Sequence, residues 1–471
     1  MNRDYDVIII GGGGAGLSAA LEASAAGARC MILEADKKLG GATALSGGVF
    51  YAAGTGIQRA AGIADDTPEA MLEYVATLNQ WSIRFDLIRI MAERGAECID
   101  WLIEKGVSFP VEWLAIAGIE SVPRGHASDA ESGGIAGPLI NAVGVAGIDT
   151  ALDTRVEGLV FKEGRVIGVR ASGMELYAPA VVLTTGGFGN SPAMINRLWP
   201  DAAYHGDRVW AVHKDAPFIL GDGINMAEQV GAEVVGSNTG LLLPTSGFMH
   251  SVEPWLPPWL MIVNEQGRRF MPESAYYAVS GYLVNEQRGK HAFAIFDEAT
   301  LVEASSDADH ADPYHTGIPV LTWDEPTIRH HLQSGRVRSA TSLAELATLC
   351  GIDSSALEET VRQYNASCES GIDNAFNKKA SKLFPVAGPP YYAVEVRPTI
   401  IGLTAAGLNI NTDTEVLDAS QRTIPGLYAA GDVLGCIHSR RYAGGGMAIA
   451  NAIIFGRIAG QNAALAARQC Q

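Results

Sequence analysis

The feature that most constrains the fold is a run of glycines directly behind a short apolar segment. Residues Val7–Ile10 read VIII, an uninterrupted apolar run typical of strands that are buried on both faces of a parallel sheet. The stretch Gly11-x-Gly13-x-x-Gly16 follows, then an alanine-rich segment, then a second apolar run that ends before Glu34. Strand, glycine turn, helix and strand in this order predict one βαβ unit.

The glycines and the acidic residue together predict a dinucleotide site. Gly11 permits the tight turn, Gly13 lets backbone N–H groups approach a pyrophosphate, and Gly16 lets the helix pack close to the strand. The helix N-terminus then faces the anion. Glu34 lies 18 residues after Gly16, where a carboxylate can accept hydrogen bonds from ribose hydroxyls. No second motif of this kind occurs, so a separate NAD site is not expected.

The same pattern returns near the C-terminus but is missing from the middle of the chain. IPGLYAAGDV predicts a strand and a loop, and a long helix is predicted behind the glycines that follow. The middle stretch is richer in Trp, Pro, Tyr and charge. We therefore predict an α/β fold with a discontinuous, Rossmann-like nucleotide-binding domain, residues 1–238 and 387–471, and an inserted α+β substrate (cap) domain, residues 239–386. Alternation around Glu163-Gly164 predicts a β-hairpin.

Charge and cysteine usage exclude several classes of function. The net charge is −18, and an acidic surface of this size repels phosphates, so we expect no nucleic-acid partner. The cysteines are scattered without a C-x-x-C pair, which predicts reduced thiols and no metal site. The apolar run Val7–Ile10 is too short for a secretory signal or a membrane span. These features predict a cytoplasmic protein without a transmembrane segment.

Six stretches, taken in order, carry a resemblance to a known family. They are GGGGAGLSAA, LTTGGFG, GDGINMA, GRRF, IPGLYAAGD and FGRIAG. Over nearly its whole length the chain resembles the flavoproteins of the fumarate reductase and ketosteroid dehydrogenase group. The resemblance implies that the dinucleotide is FAD. The stretch ATALSGGVF lacks the histidine that carries covalent flavin in respiratory relatives, so non-covalent FAD is expected.

The residues expected to contact FAD lie in the glycine-rich loops, at strand ends and at the start of the last helix. They are Gly11, Gly13, Gly14, Ala15, Gly16, Glu34, Ala35, Gly41, Ala42, Thr43, Ser46, Gly47, Gly48, Gly187, Asp222, Gly431, Asp432, Gly445, Ala448 and Ile449.

Three positions separate this chain from the fumarate reductases of that group. Leu403 of LTAAGL stands where their HTMGGL-like motif has a histidine. Tyr277, seven residues after Phe270, takes the place of their arginine proton donor, and Tyr442 takes the place of the arginine in HG-x-N-R. A dicarboxylate needs cations to neutralise its two charges, so these changes predict a substrate that is neutral near the flavin.

The stretch Tyr442-Ala-Gly-Gly-Gly446 is similar to the Y-P-G-x-G turn of ketosteroid 1-dehydrogenases, with alanine in place of proline. The resemblance implies that the Tyr442 hydroxyl and the Gly446 N–H donate to a substrate ketone and stabilise the enolate. Tyr277 is then the expected base for the α-proton. Tyr276 is the alternative base, because Pro272-Glu273 replaces the Asn-Glu of the family and leaves the register open.

Further residues are candidates for the substrate pocket. Trp113, Tyr276 and Leu403 are expected to contact substrate, and the stretch from Trp255 to Trp259 either walls the pocket or forms a surface patch. Arg440 and Arg441 are surface or flavin-phosphate cations, or bind the carboxylate of a keto acid.

The predicted function is FAD-dependent α,β-dehydrogenation of a small-molecule cyclic ketone, a cyclohexanone-type ring or a 3-oxosteroid. Two alternatives stay open: an ene-reductase of the fumarate reductase type, and a flavin electron-transfer subunit. The electron acceptor cannot be read from the sequence.

Overall fold

The computed structural model describes residues 3–130, 133–213, 217–248, 255–304 and 323–470. Its strands are β1 (Val7–Ile10), β2 (Cys30–Leu33), β3 (Val49–Tyr51), β4 (Leu114–Ala115), β5 (Gly125–Ala127), β6 (Asp149–Ala151), β7 (Val156–Lys162), β8 (Arg165–Ala171), β9 (Met174–Tyr177), β10 (Ala180–Leu183), β11 (Trp210–Ala211), β12 (Val234–Val235), β13 (Gly240–Thr245), β14 (Met261–Val263), β15 (Ala292–Asp297), β16 (Val337–Ala340), β17 (Tyr391–Thr404), β18 (Gly407–Leu408), β19 (Glu415–Leu417) and β20 (Thr423–Ala429). Its α-helices are α1 (Gly14–Ala25), α2 (Gly56–Ala60), α3 (Pro68–Leu78), α4 (Phe85–Glu104), α5 (Ala136–Val145), α6 (Pro192–Leu198), α7 (Pro200–Ala203), α8 (Asp222–Glu228), α9 (Tyr277–Asn285), α10 (Glu298–Ala304), α11 (Glu325–Gln333), α12 (Leu343–Cys350), α13 (Ser354–Ser370) and α14 (Met447–Gln469).

The first sheet contains the predicted βαβ unit. Its strand order is β19-β20-β10-β1-β2-β6, and all neighbours are parallel except the edge pair β19 and β20. β1 lies in the centre and is fully buried, which explains its uninterrupted apolar sequence. The carboxyl ends of β1, β2, β10 and β20 meet at one edge of the sheet, which is where ligands bind in open parallel sheets.

Two helices pack closely on this sheet because small residues line their contact. A Cβ on Gly16 of α1 would lie 1.9 Å from the Gly11 oxygen, so only glycine allows this approach. On α14, a Cβ on Gly456 would lie 2.4 Å from the Ala15 oxygen, and a Cβ on Gly460 would lie 2.1 Å from the Ala19 oxygen. These contacts fix the N-termini of α1 and α14 beside the same edge of the sheet.

The second sheet is built around the long strand β17. The first half of β17 pairs with β15 and β16, and its second half pairs with β13 and β11. Alternate residues of β15 pack into two separate hydrophobic clusters, so the sheet has apolar layers on both faces. β13 and the end of β17 are the parts of this sheet that approach the first one.

The predicted α/β class with a Rossmann-like parallel sheet is confirmed. β7 and β8 form the predicted hairpin, and its turn residues Glu163 and Gly164 have φ angles of 52° and 79°. The domain boundaries at 238/239 and 386/387 stay a prediction, as does a cytoplasmic location. Within the described parts of the chain, no helix is both long and apolar enough to cross a bilayer.

Candidate active site

A cavity of about 420 Å³ lies between the two sheets. On one side it is lined by the ends of β1, β2, β10 and β20 and the loops that follow them. On the other side it is lined by Leu241 and Leu243 of β13 and by the end of β17. Residues at the N-termini of α1 and α14 also face it, so two positive helix ends point into one space.

The glycine loop at β1 leaves room for a ligand. Gly13 lines the cavity, and a Cβ placed on it would meet no atom within 4 Å, so its open side faces empty space. The Gly14 N–H donates to the Thr43 hydroxyl (3.1 Å), which ties the loop to the segment that covers it. A bare backbone at a helix N-terminus is the arrangement that binds a pyrophosphate.

Glu34 lines the cavity at the end of β2, where the sequence predicts it. Its Oε2 accepts a hydrogen bond from the Gly12 N–H (2.6 Å), and its Oε1 accepts one from the Asp36 N–H (2.8 Å). Each carboxylate oxygen has a second lone pair for a ribose hydroxyl. Glu34 therefore shapes the glycine loop as well as facing the ligand space.

Arg155 is a cavity residue that the sequence did not predict. Its guanidinium donates to the Asp222 carboxylate and to the Pro217 oxygen. The N–H of its neighbour Thr154 donates to the backbone oxygen of Glu34 (2.8 Å), which places Arg155 at the Glu34 end of the cavity. No sequence motif surrounds this arginine, so only the tertiary structure reveals it.

Two polar cavity residues lie at strand ends, since Thr404 ends β17 and Asp432 follows β20. Thr404 is buried, and its hydroxyl has no hydrogen-bond partner among the described residues. Burial raises the pKa of Asp432 to about 7. Both side chains line the cavity and are available to a polar ligand.

Most of the residues expected to contact FAD line this cavity. They are Gly11, Gly13, Gly14, Ala15, Glu34, Ala35, Gly41, Ala42, Thr43, Ser46, Gly47, Gly187, Asp222, Gly431, Asp432, Gly445, Ala448 and Ile449. Gly16 and Gly48 are not among the lining residues. Gly16 packs α1 on the Gly11 turn. Gly48 has a φ of +63°, and a Cβ placed on it would lie 2.3 Å from the Ser128 hydroxyl. The lining set, with an open glycine loop and a Thr404 hydroxyl that has no hydrogen-bond partner among the described residues, fits FAD.

Tyr442 is held at the other end of the cavity by the first turn of α14. Its hydroxyl oxygen accepts a hydrogen bond from the Ala448 N–H (2.9 Å), so its own proton is directed to another acceptor. Burial, together with nearby Tyr277, raises the pKa of Tyr442 well above its ordinary value. Tyr442 is therefore a neutral hydrogen-bond donor over the whole physiological range.

Tyr277 opens helix α9 and lines the cavity beside Tyr442. Its ring packs edge-on against Trp255 (centroids 4.8 Å apart) and tilted against Tyr276 (4.1 Å). Trp255 also lines the cavity, whereas Tyr276 does not. The geometry favours Tyr277 over Tyr276 as the residue that faces the ligand space. Trp259 is buried in a cluster of the second sheet instead.

The remaining predicted substrate residues divide into two groups. Leu403 and Gly446 line the cavity, and Gly446 has a φ of +97°, which turns the chain into α14. Trp113 does not line it; this half-buried side chain packs on the first hydrophobic core. Its contact with substrate stays a prediction.

Positive charge is missing from the Tyr277 end of the cavity. Among the described lining residues, Arg155 is the single arginine or lysine, and it lies at the Glu34 end. Arg440 donates to the Asn238 oxygen and Arg441 to the Leu78 oxygen, and neither lines this cavity. Within the described chain, no group of three or more His, Cys, Asp or Glu side chains is placed to hold a metal ion.

Comparison with known proteins identifies the family. The sequence profile of the family described as FAD binding domain matches residues 6–449. The chain belongs to this family. Its cofactor is FAD, and it is an FAD-dependent oxidoreductase acting on carbon–carbon bonds. The non-covalent attachment of FAD stays a prediction.

Relatives of this FAD-binding protein include both reductases and a steroid dehydrogenase. It is 32% identical to the NADH:fumarate oxidoreductase of Klebsiella pneumoniae (strain 342), covering 99% of this chain but 48%, about half, of that protein. It is 30% identical to the fumarate reductase (cytochrome) of Shewanella frigidimarina, covering 98% of this chain and 77% of that one. The structure of the 3-ketosteroid-delta4-(5alpha)-dehydrogenase of Rhodococcus jostii RHA1 matches with a TM-score of 0.79 and 28% identity, covering 98% of both chains.

Replacing Glu34 should weaken FAD binding. Glu34→Ala removes a ribose acceptor and also releases the Gly12 and Asp36 N–H groups from their side-chain partner. We expect purified Glu34→Ala to carry much less flavin than the wild type, measured as the ratio of absorbance at 450 nm to that at 280 nm. Glu228→Ala, which breaks a surface ion pair with Arg197, is the control and should keep its flavin. Equal flavin content in wild type and Glu34→Ala would contradict the assignment.

Buried His438 should make the protein sensitive to acid. It packs against Tyr442, its Nε2 has no partner among the described residues, and burial lowers its pKa to about 4. The unfolded chain binds this proton near pH 6.5 and the folded one near pH 4, so stability is lost as the pH falls through that window. Between these pH values the wild type should lose about 3 kcal/mol more unfolding free energy than His438→Gln. Equal losses in the two, with exposed His330→Gln as control, would refute this.

Proposed function

We propose that this protein is an α,β-dehydrogenase of a cyclic ketone, with a cyclohexanone-type ring or a 3-oxosteroid as substrate. The observation that carries the proposal is the pair Tyr277 and Tyr442 at one cation-free end of the FAD cavity. One phenol is fixed at a helix N-terminus as a neutral donor, and the other faces the same space. This pairing suits removal of a proton next to a polarised ketone.

The ketone oxygen is proposed to bind between the Tyr442 hydroxyl and the Gly446 N–H. Because the Ala448 N–H already donates to the Tyr442 oxygen, the hydroxyl proton is oriented away from it, toward an outside acceptor. The positive end of α14 adds to the attraction for negative charge. These donors stabilise the oxygen more as it gains enolate character, which is the requirement for lowering a barrier.

Tyr277 is proposed to take the α-proton as a phenolate, which becomes the neutral phenol. Bound FAD supplies a hydride acceptor at flavin N5 for the hydrogen on the β-carbon. The substrate thus loses one proton and one hydride, a carbon–carbon double bond forms, and the two electrons pass on to an external acceptor. The packing of Tyr277 against Trp255 and Tyr276 holds its ring in one position for this transfer.

The charge of the site argues against a dicarboxylate. Each carboxylate that leaves water needs a cation or several donors to replace its hydration. Leucine and tyrosine occupy the Leu403, Tyr277 and Tyr442 positions, and the further polar groups of the described lining near them, Thr404 and Asp432, carry no positive charge. A neutral ring with a single carbonyl meets these groups without an uncompensated charge.

A second candidate is the reverse reaction, reduction of a conjugated carbon–carbon double bond. The names of the relatives favour it, because fumarate reductases are among them. The same two tyrosines would then hold an enone and return the proton. The direction depends on the reduction potential of the electron partner.

Anaerobic flavin bleaching by a panel of donors tests the proposal. The holoprotein is mixed with cyclohexanone, 4-oxocyclohexanecarboxylate, a 3-oxosteroid or succinate, and absorbance at 450 nm is followed. We expect bleaching by at least one ring ketone and none by succinate. Bleaching by succinate alone, or by none of the four, would overturn the proposal. In the second candidate, chemically reduced protein would be reoxidised by an enone much faster than the oxidised protein is bleached by the ketone.

A further inference from the structure

Helix α3 and the segment after it lie along the chain that leads to Tyr442. The Arg84 N–H donates to the Cys436 oxygen (2.9 Å), and the Ser82 and Ser439 hydroxyls are 3.2 Å apart. Arg441 donates to the Leu78 oxygen (3.3 Å). These contacts join the end of α3 and the segment after it to residues 436–441, which lead to the turn before α14.

The last contact in this series is made by Tyr74 of α3. Its hydroxyl donates to the Ala443 oxygen (2.7 Å) and accepts from the Ile119 N–H (3.2 Å). It therefore joins the residue next to Tyr442 to a second segment, residues 117–120. That segment also accepts the Gly445 N–H on the Ala117 oxygen (2.6 Å), and Gly118 forms a β-bridge with Gly444.

The buried carboxylate of Glu120 stabilises segment 117–120 by a hydrogen bond within that segment. Glu120 is 8% exposed, and its Oε1 accepts from the Ala117 N–H (3.0 Å), which closes the turn. A Cβ on Gly118 would lie 2.1 Å from the Ala443 oxygen, 2.4 Å from Glu120 Oε2 and 2.9 Å from the Tyr74 hydroxyl, so these three groups converge on one point. A side chain at residue 118 therefore does not fit, and the three polar groups lie close to one another.

The other side of the turn is closed by β3. A Cβ on Gly444 would lie 2.5 Å from the Tyr51 ring, and a Cβ on Gly446 would lie 2.7 Å from the Val49 oxygen. Residues 443–446 are thus held between β3 and segment 117–120. The Tyr74 hydroxyl donates to this turn from helix α3, outside both of these segments, and the Arg124 guanidinium lies over its ring at 5.6 Å.

We propose that Tyr74, through its hydrogen bond to the Ala443 oxygen, is a positioning residue that sets the Tyr442 hydroxyl and the Gly446 N–H for the substrate oxygen. This inference rests on the proposed function. Donors at an oxyanion site work only when they are placed within a fraction of an ångström, because their value lies in being fixed before charge develops. The Tyr74 hydroxyl holds the Ala443 carbonyl, which lies between Tyr442 and Gly446 in the chain. Tyr74 itself does not line the cavity.

A double-mutant cycle with Tyr442 tests this inference. Four holoproteins are compared with cyclohexanone, or with whichever ring ketone bleaches the flavin fastest: wild type, Tyr74→Phe, Tyr442→Phe and the double variant. Tyr74→Phe should lower the rate of flavin reduction about tenfold, a modest misplacement cost, with little change in the apparent affinity for the ketone. In the Tyr442→Phe background the same change should cost less than about threefold, because the donor it positions is already gone.

Phenol binding supplies a readout that a purely structural role would not move. Phenol imitates the enolate, and its affinity is measured from the change in flavin absorbance. It should fall in Tyr74→Phe but not in Tyr392→Phe, a matched control that loses a hydrogen bond to Glu298 (2.6 Å) in the second sheet. If Tyr74→Phe fails to retain flavin, Glu120→Ala removes the support of the same segment and should show the same non-additivity with Tyr442→Phe.

The outcomes separate this inference from the proposed function. Equal fold losses from Tyr74→Phe in the two backgrounds, or no loss in either, with a large loss from Tyr442→Phe, would overturn the positioning role alone. No loss from Tyr442→Phe would overturn the proposed function and the positioning role together.

Discussion

Tyr277→Phe should lower the rate of flavin reduction by a cyclic ketone by about 10²–10⁴-fold, the usual contribution of a proton-transfer residue. The ring remains, so packing against Trp255 and Tyr276 is preserved and the flavin content should not change. Only the oxygen that takes the α-proton is removed. Stopped-flow measurement of bleaching at 450 nm under anaerobic conditions gives the rate directly.

A matched control sharpens this test. Tyr276→Phe is the matched control, since this ring packs on Tyr277 but does not line the cavity. A large loss in Tyr276→Phe with near-normal bleaching in Tyr277→Phe would show that the base is the neighbouring residue.

Tyr442→Phe should lower the same rate by about 10²–10³-fold, the typical effect of losing one oxyanion donor. The loss should appear in the limiting rate more than in the ketone concentration at half-saturation, because the hydrogen bond strengthens as negative charge builds on the oxygen. Phenol should bind less tightly to this variant than to the wild type. The Ala448 N–H also loses its acceptor, so a small loss of thermal stability is expected.

The control for this variant is Tyr428, a buried tyrosine in a strand of the first sheet. Tyr428→Phe alters β20 but not the cavity lining, and it should leave the bleaching rate within about twofold of wild type, as expected for a change remote from the site. A weaker ketone affinity with an unchanged limiting rate in Tyr442→Phe would assign Tyr442 to ordinary binding. An unchanged rate together with an unchanged affinity would remove its role altogether.

The parts of the fold that the sequence predicts best are those dictated by local sterics. Val7–Ile10 is apolar throughout because β1 is buried on both faces, and this is visible without any structure. Gly16 is required because any side chain would strike the Gly11 oxygen, a contact between residues only one turn apart. The hairpin at Glu163-Gly164 follows from alternating apolar and polar residues on both sides of a turn that contains a glycine with a positive φ.

The site residues that sequence reasoning missed depend on long-range contacts. Arg155 donates to Asp222 over 67 positions of the chain, and Tyr74 donates to Ala443 over 369. Neither residue belongs to a motif, and nothing in its neighbours fixes the direction of its side chain. The placement of Trp255 rather than Trp113 at the cavity has the same origin, because it depends on how the second sheet approaches the first.

The central claim is that a ring ketone loses its α-proton and β-hydride in this cavity. It is tested most directly by a single anaerobic turnover with cyclohexanone, and with a 3-oxosteroid, each with and without deuterium on the β-carbon. The account predicts one enone molecule per flavin reduced for at least one of the two ketones, with slower bleaching for the deuterated form. Flavin that stays oxidised with both ketones, or that is reduced without enone formation, would contradict it.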